Sequence, residues 1–309
     1  MKSASNIITE NGSRYGLFQH PIFLLLITGT LIGFNFPLGK IGSSAGVSPM
    51  VWALLVSLGA SLTLLPFLIA KRRLKKLSRA MLRYIVISAL ISFVAPNLLL
   101  FSVIPHVGSG YAGLMFALSP VFTLSVAVMF QLKGPRLTGI FGIIFGLIGA
   151  AIVALTRGTA PEAPQYIWII AALLVPMSLA CGNVYRTLDW PDDASPDELA
   201  FWSHSFAVVV FLGLLLVTKG TLPVAELTLA PWAALAQALV AGMTFPVFFR
   251  LQQNGGPVLL SQIGYVAAAV SLIAATVVLD EHYGFMTWIG AGVIAIGIAT
   301  TILSQIKGA

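Results

Sequence analysis

IGFNFPLG (residues 32–39) and ACGNVYRT (residues 180–187) lie 148 residues apart, and each has an asparagine at its fourth position, Asn35 and Asn183. Further positions of the two halves match at this offset: Gly108 with Gly256, Gly142 with Gly290, Gly149 with Gly297 and, with a slip of one residue, Ser48-Pro49 with Ser195-Pro196. Glycine matches alone would be weak evidence in a chain with 29 glycines. The polar and proline matches at the same offset indicate an internal duplication.

The composition is that of a membrane protein. Charged residues make up 9% of the chain and apolar residues 58%, with a mean hydropathy of +0.96, whereas a soluble domain carries about 25% charge. Nearly uncharged windows of about twenty residues, long enough to cross a ~30 Å hydrocarbon core, recur along the whole chain. They predict ten spans at roughly 21–39, 49–70, 82–103, 108–130, 138–156, 166–187, 198–218, 231–251, 256–279 and 285–305.

The duplication and the span count together predict the fold class. Each copy contains five spans, an odd number, so the second copy enters the membrane from the opposite side. We therefore expect an all-α membrane protein of ten transmembrane helices in two inverted five-helix repeats, residues 21–156 and residues 166–305. Inverted repeats are typical of alternating-access transporters, which bind substrate near the midplane between the halves.

The positive charges predict the orientation. With a cytoplasmic N-terminus, fourteen of the seventeen Lys and Arg residues fall inside, and only Lys40, Arg157 and Lys219 fall outside. Such a bias orients spans during insertion, so we expect a multi-pass protein of the cytoplasmic (inner) membrane with both termini cytoplasmic. Residues 1–20 lack an apolar stretch and predict a retained cytoplasmic tail.

The same distribution explains the net charge of +7 without a nucleic-acid partner. The basic run KRRLKKLSRAMLR (residues 71–83) supplies seven of the inside charges and is expected to contact anionic lipid headgroups. Cys181 is the single cysteine, which excludes a disulfide framework and a cysteine metal cluster.

The stretch TLDWPDDASPDE (residues 187–198) holds five of the ten acids and admits two interpretations. Ser195-Pro196-Asp197-Glu198 has the form of a capping box with proline at the first helical position, which favours a capped cytoplasmic turn. The alternative is a magnesium–diphosphate site. That chemistry requires a second carboxylate cluster opposite the first, and the sequence offers none.

Three segments resemble a known transporter repeat. GYAGLMFALSPVFTLSVAVMF with RLTGIFGIIFGLIGAAIVAL, and SQIGYVAAAVSLIAATVVLDEHYGFMTWIGAGVIAIGIATTI in the second half, look like the closing helices of an EamA-type repeat, and GFNFPLGK looks like its first helix. The resemblance spans residues 20–305 and implies the drug/metabolite transporter superfamily, ten-helix carriers of which many export amino acids and other small metabolites.

The resemblance fails at one acid. EamA repeats commonly carry an acid after the fourth helix, which Glu281 supplies only in the second half; the first half has Lys133 or Pro135 there. Glu281 and its neighbour Asp280 either cap span ten or close an outer gate, and both interpretations remain open.

Polar residues within the spans are the candidates for substrate contact, because an unpaired polar group facing lipid is costly. The predicted substrate-binding residues are Asn35, Asn97, Tyr111, Asn183, Tyr185, Arg186, His204, Gln262 and Tyr265. Further polar residues in the spans are Trp52, Gln237 and Arg250. Two prolines within spans, Pro96 and Pro246, leave backbone carbonyl groups without a helical donor, and these could line the cavity.

Several of these residues have two interpretations. Asn35 and Asn183 either grip a substrate carboxylate or amine, or hydrogen-bond neighbouring helices together. His204 either carries a coupling proton or packs as a neutral ring. Arg186 and Arg250 either snorkel to headgroups or form an entry site for an anionic or zwitterionic substrate.

The sequence as a whole predicts a secondary active transporter, and not an enzyme, that moves a small polar metabolite, amino-acid-like or related, across the cytoplasmic membrane. Export follows from the family resemblance. The expected partners are the small-molecule substrate and the lipid bilayer, with a proton as candidate coupling ion and no cofactor or metal; no sequence feature indicates an oligomeric state. The alternative function is a membrane-embedded Mg-dependent transferase that uses the acidic loop of residues 189–198.

Overall fold

The computed structural model describes residues 20–74, 76–132, 137–158 and 165–306. The predicted N-terminal tail, residues 1–20, lies outside these ranges except for His20, and so does most of the predicted outer connection of residues 157–164. Within the described ranges the chain folds into helices and contains no β-strand. The ten long helices are α1 (Pro21–Ser44), α2 (Pro49–Ala70), α3 (Arg79–Val107), α4 (Ser109–Met129), α5 (Leu137–Gly158), α6 (Tyr166–Leu188), α7 (Pro196–Lys219), α8 (Pro231–Ser261), α9 (Ile263–Val278) and α10 (Phe285–Ile306).

The helices have the length and composition of membrane spans. Among the described residues, seven of them (α1 to α4 and α6 to α8) are long and apolar enough to cross a membrane. The other three, α5, α9 and α10, are apolar over shorter stretches. The molecule is therefore an all-helical membrane protein, and the prediction of ten crossings stays a prediction.

Serine and proline begin helices where the sequence predicts it. Proline is the first residue of α1, α2, α7 and α8, a position whose N–H has no helical acceptor. The two Ser-Pro pairs of the duplication begin α2 and α7. Ser78 caps α3, where its side chain accepts a 3.1 Å hydrogen bond from the backbone N–H of Met81.

The two halves interlock instead of forming separate cores. Helices α2, α4 and α5 each pack against their own repeat equivalents α7, α9 and α10. Likewise α1 packs on α8 and α9, and its equivalent α6 packs on α3 and α4. Each of these contacts thus either joins two equivalent helices or occurs twice, once in each orientation of the repeats. This is the pattern of a two-fold pseudo-symmetry.

The contact of α5 with α10 defines the direction of that symmetry. A Cβ atom on Gly149 would lie 2.6 Å from the carbonyl oxygen of Gly290, and one on Gly297 would lie 2.6 Å from that of Gly142. The numbering rises along α5 as it falls along α10, so the helices are antiparallel. Equivalent helices that pack antiparallel fit a two-fold axis in the membrane plane, as in inverted repeats.

Glycine marks the end of the third helix in each half. Gly108 has φ 85° and ψ 158°, and Gly256 has φ 68° and ψ −176°, conformations that a residue with a Cβ rarely adopts. The second of these interrupts α8 five residues before its last residue, Ser261. The predicted match of Gly108 with Gly256 is therefore also a match of backbone conformation.

The connections at one end of the bundle are joined by polar contacts. Lys219 forms an ion pair with Glu226, whose other carboxylate oxygen accepts a 2.8 Å hydrogen bond from the backbone N–H of Ser48. Glu281 accepts hydrogen bonds from the N–H and Oγ of Ser109, at 3.0 and 3.1 Å, and so caps α4 rather than α10. All these residues lie in, or at the helix ends next to, connections that the charge distribution predicts to face outward.

Candidate substrate site between the two halves

A cavity lies between the two halves, bounded by α1 to α4 from the first repeat and α6, α8 and α9 from the second. Its volume is about 60 Å³, large enough to hold water. Its wall is mainly aliphatic and aromatic. The polar side chains of the lining are Asn35, Ser92, Asn97, Ser119 and Asn183.

An irregular stretch of α3 shapes one wall. Residues Leu90–Val94 form a π-helical turn, a local widening that recurs at functional sites. It is followed by Pro96, which has no N–H to donate to the preceding turn. Ser92, Phe93 and Pro96 all line the cavity, so the interruption of the regular helix falls at the site.

A chain of hydrogen bonds holds the side-chain amide of Asn35 and leaves one of its two polar atoms available to a ligand. The indole N–H of Trp52 donates a 3.2 Å hydrogen bond to Oε1 of Gln237, and Nε2 of Gln237 donates to Oδ1 of Asn35. Because an indole N–H can only donate, the amide of Gln237 has one orientation, and so has the amide of Asn35. The polar atom that Asn35 retains for a ligand is Nδ2, a donor.

Asn183 is oriented in the same sense from the other half. Nη2 of Arg186 donates a 2.7 Å hydrogen bond to its Oδ1, and its Nδ2 lies 3.4 Å from Oγ1 of Thr123. A guanidinium can only donate, so the amide oxygen must face Arg186. The two equivalent asparagines therefore both have their oxygen engaged. The NH₂ group of Asn35 is left for a ligand, and that of Asn183, which donates one hydrogen bond to Thr123, keeps one N–H.

Asn97 is the third asparagine of the lining. It lies on α3, one residue after Pro96, and is half-buried. Its side-chain amide forms no hydrogen bond with any residue in the described part of the chain. Asn35, Asn97 and Asn183, all predicted from the sequence, are thus brought together around one cavity.

Arg186 does not snorkel to the membrane surface. Its side chain is fully buried beneath Asn183. The centre of the guanidinium lies 5.6, 5.0 and 6.0 Å from the ring centroids of Phe93, Phe248 and Phe249, within the range of cation–π attraction. Phe93 and Phe248 also line the cavity, so Arg186 lies directly behind the cavity wall.

His204 also lies behind this wall. Its ring is fully buried, with centroids 4.1 Å from Phe93 and 3.8 Å from Phe245. Nδ1 lies 3.4 Å from Oγ of Ser57, and Nε2 has no hydrogen-bond partner among the described residues. The ring is separated from the cavity by the two phenylalanines.

The four remaining predicted residues are placed elsewhere. Tyr111 and Tyr265 are fully buried in α4 and α9, and Gln262, at the start of α9, is buried as well. None of the three is among the cavity-lining residues. Tyr185 points towards the end of α6 and donates a 2.6 Å hydrogen bond to Asp189.

Comparison with known proteins identifies the family. The model of the EamA-like transporter family matches twice, at residues 20–155 and 166–303. The chain belongs to this family. The family resemblance inferred from the repeat segments is confirmed, and the molecule is a membrane transporter of the drug/metabolite transporter superfamily.

Solved structures share the fold of this EamA-like transporter. One crystal structure, described only as that of a protein, has a TM-score of 0.66 at 18% identity over 91% of this chain and 98% of that one. At this identity the likeness shows the fold alone. The comparison with curated proteins finds no match.

The acidic loop of the transporter contains the capping box that the sequence predicts. Oγ of Ser195 accepts a hydrogen bond from the N–H of Glu198 at 3.3 Å, and Oε2 of Glu198 accepts one from the N–H of Ser195 at 3.1 Å. Ser195 and Glu198 thus stabilise the start of α7 reciprocally.

Two other acids of this loop join helices together. Asp197, which is buried, accepts hydrogen bonds of 2.9 and 3.0 Å from Nη2 of Arg250 on α8. Asp189 pairs with Arg83 of α3. Burial would raise the pKa of Asp189, but hydrogen bonds from Arg83 and Tyr185 and the charge of Arg83 lower it below its ordinary value. The carboxylates therefore act as helix-end contacts, and the described residues contain no group of three potential metal ligands.

Proposed function

We propose that this EamA-like transporter is a secondary active carrier, and not an enzyme, that exports a small polar metabolite, amino-acid-like or related, across the cytoplasmic (inner) membrane by alternating access. The observation that carries the proposal is the cavity between the two interlocked halves, lined by Asn35, Asn97 and Asn183. A site at the boundary of two inverted repeats is accessible from either side when the halves rock against each other.

The dimensions of the cavity support a moving carrier. The space of about 60 Å³ is well below the roughly 300–1,000 Å³ of most small-molecule sites, which supports a carrier whose halves separate to admit the solute. The walls are apolar with a few convergent polar groups, as in most small-molecule sites. A solute with an apolar body and a polar head fits this distribution.

The orientation we propose rests on the charges. Ten crossings with both termini in the cytoplasm put fourteen of the seventeen Lys and Arg residues inside. The contacts of Arg83 with Asp189 and of Arg250 with Asp197 then lie at the cytoplasmic end. Those of Lys219 and Glu281 lie at the outer end.

A proton is the candidate coupling ion, and the sequence makes His204 its candidate carrier. An imidazolium at this position would have no carboxylate partner within 4.0 Å among the described residues. We therefore propose that the proton, if it is the coupling ion, is carried at another group, and that His204 packs as a neutral ring.

The experiment that tests the function is flux into proteoliposomes made with the purified protein. Radiolabelled amino acids and nucleosides are offered as a panel, first alone and then with excess unlabelled solute on the opposite side. A carrier shows saturable uptake, acceleration by solute on the opposite side, and no response to a magnesium chelator. Non-saturating flux would indicate a channel, and loss of activity with chelator would favour the transferase.

A further inference from the structure

Arg186 is a buried cation without an acidic partner. Its side chain has no solvent exposure. The ion pairs among the described residues are Arg83–Asp189, Lys219–Glu226 and Arg250–Asp197, and none includes Arg186. A charge inside a span is costly and typically marks a ligand path or has a counter-charge. The counter-charge of Arg186 is thus not supplied by the described chain.

The hydrogen bonds of the guanidinium leave one nitrogen available. Gln252 Oε1 accepts from Nε at 3.3 Å and from Nη2 at 3.2 Å, and Asn183 Oδ1 accepts from Nη2 at 2.7 Å. These acceptors are neutral. Nη1 is buried and has no acceptor among the described residues, so its two N–H groups are free to bind a ligand.

The free nitrogen lies close to Gly182 and Ser92, next to the edge of the cavity. A Cβ atom on Gly182 would lie 3.3 Å from Nη1 of Arg186 and would overlap Oγ of Ser92. Ser92 lines the cavity, and its Oγ is also buried without a partner among the described residues. Glycine at position 182 thus lets two unsatisfied donors, Nη1 of Arg186 and the hydroxyl of Ser92, lie close together at the edge of the cavity.

We propose that the edge of the cavity at Ser92 and Nη1 of Arg186 is an anion subsite that binds a carboxylate of the transported solute. The proposal rests on the transport function proposed above and names the chemistry of its substrate. A carboxylate offers two acceptor oxygens to the Nη1 donors of Arg186 and to the hydroxyl of Ser92. Asn35 and Asn183 also line the cavity, with both amide oxygens occupied. The NH₂ group of Asn35 and the second N–H of Asn183 add donors for the same acceptor-rich head group.

The charge balance favours a single negative charge. One guanidinium neutralises one carboxylate, and the other two arginines near this end, Arg83 and Arg250, are already paired with acids. A dianionic phosphate would leave a negative charge uncompensated in a low-dielectric site. A cationic solute without a carboxylate would be repelled by Arg186.

A purely structural role is the competing explanation for Arg186. Contacts with three phenylalanines and Gln252 could hold it in place without any ligand. A structural role predicts that removing the arginine changes stability alone. An anion subsite predicts that it changes the discrimination between an acid and its uncharged analogue.

The experiment compares matched ligand pairs on purified protein. The probes are the L-amino acids with their carboxamides and short monocarboxylates with their amides, read out by thermal stabilisation and by competition for uptake. For the wild type, we expect at least one acid to bind, with a clear preference over its amide. Arg186→Gln should reduce that preference by about tenfold to a hundredfold, as expected for a charge-assisted hydrogen bond.

Further variants keep the test decisive if Arg186→Gln does not fold. Gly182→Ala retains the arginine but displaces the hydroxyl of Ser92, which would lie 2.2 Å from the new Cβ, and Ser92→Ala removes that donor. Both variants should weaken binding of the acid more than that of the amide. Arg250→Gln makes the same charge change at the same end, outside the subsite. It should lower stability and preserve the preference.

The results separate this inference from the transport function. Equal binding of acid and amide, binding by no carboxylate, or an undiminished preference in Arg186→Gln would overturn the anion subsite. Saturable flux confined to uncharged or cationic solutes would retain the carrier and overturn the subsite. Absence of saturable flux for every solute would contradict the carrier itself.

Discussion

Ser57 and His204 meet side chain to side chain, with Oγ and Nδ1 3.4 Å apart, and they are equivalent residues of the two repeats. The offset of 147 that aligns Ser48-Pro49 with Ser195-Pro196 also aligns Ser57 with His204. A contact between equivalent positions lies on the pseudo-two-fold axis. In an inverted-repeat carrier the two halves exchange conformations between the two open states, and a contact on the axis is the same before and after this exchange. We expect this crossing of α2 and α7 to persist in both the inward-open and the outward-open state.

His204→Gln is therefore expected to lower stability without removing the pH dependence of transport. The substitution loses the ring contacts with Phe93 and Phe245, at a cost of roughly 1–3 kcal/mol. Melting of the purified variant and flux over a series of pH values check the two parts. A folded variant whose flux no longer responds to pH, beside a responsive wild type, would make His204 the proton carrier.

The close contact of α5 with α10 gives a prediction with a control on the same helix. Gly149→Ala and Gly290→Ala would each place a Cβ 2.6 Å from an atom of the partner helix, and overpacking of this kind costs about 1–3 kcal/mol. Gly292→Ala meets no atom of the described chain within 4 Å and should leave the melting temperature unchanged or slightly higher. Equal melting of all three variants would argue against the antiparallel contact.

The orientation is tested with cysteines at the two ends. In a Cys181→Ala background, Ser78→Cys should react with an impermeant reagent from the cytoplasmic side. Thr221→Cys, in the connection after α7, should react from the outside. Labelling of both cysteines from the same side would contradict the inverted arrangement and the span count together.

The fold was predictable because the duplication leaves marks that a single sequence retains. Gly108 and Gly256 match in sequence because both helices end in a backbone conformation that favours glycine. Gly149 and Gly297 match because each lies against a backbone carbonyl of the partner helix, where a Cβ would not fit. Steric constraints at such positions allow only glycine, so the constraint is visible in the sequence.

The site was predictable only in part. The three asparagines stand out because amides are rare in apolar helices, and all three line the cavity. Ser92, Thr123 and Gln252 carry no comparable signal. Serine and threonine hydroxyls can hydrogen-bond to a backbone carbonyl of their own helix, so they are common in apolar helices. Gln252 stands next to other polar residues, a pattern typical of the end of a membrane span. The apolar wall of Phe93, Phe245 and Phe248 is indistinguishable by composition from a lipid-facing surface.

The burial of a polar side chain was harder to predict from the sequence than its place along a helix. Arg186 stands two residues before the end of α6, where a long cation normally reaches the headgroups. The phenylalanines that cover it come from α3 and α8, so its burial depends on helix packing that local pattern does not encode. Tyr111 and Tyr265 show the reverse case, since their polarity predicted a cavity position and packing placed them in the interior.

The acidic loop should matter for stability and not for transport. Ser195→Ala removes the hydroxyl that caps α7 and is expected to cost about 1 kcal/mol. Asp192→Asn combined with Asp193→Asn leaves the capping box intact and should leave flux close to that of the wild type. Melting and flux on the same preparations check both; loss of activity in a well-folded double variant would revive the metal site.

The most direct test of the central claim, that the cavity between the halves binds the transported solute, is the affinity of Asn35→Ala and Asn183→Ala. Each variant removes an NH₂ donor from the lining and is expected to weaken the apparent affinity by about 1–3 kcal/mol. Ser61→Ala, a buried polar residue outside the cavity, serves as the control and should retain wild-type affinity. Binding and melting must be measured on the same purified samples, because Asn35 and Asn183 also hold Gln237 and Arg186. The account predicts weaker binding in both asparagine variants; unchanged affinity in both, with only the melting temperature lowered, would contradict it.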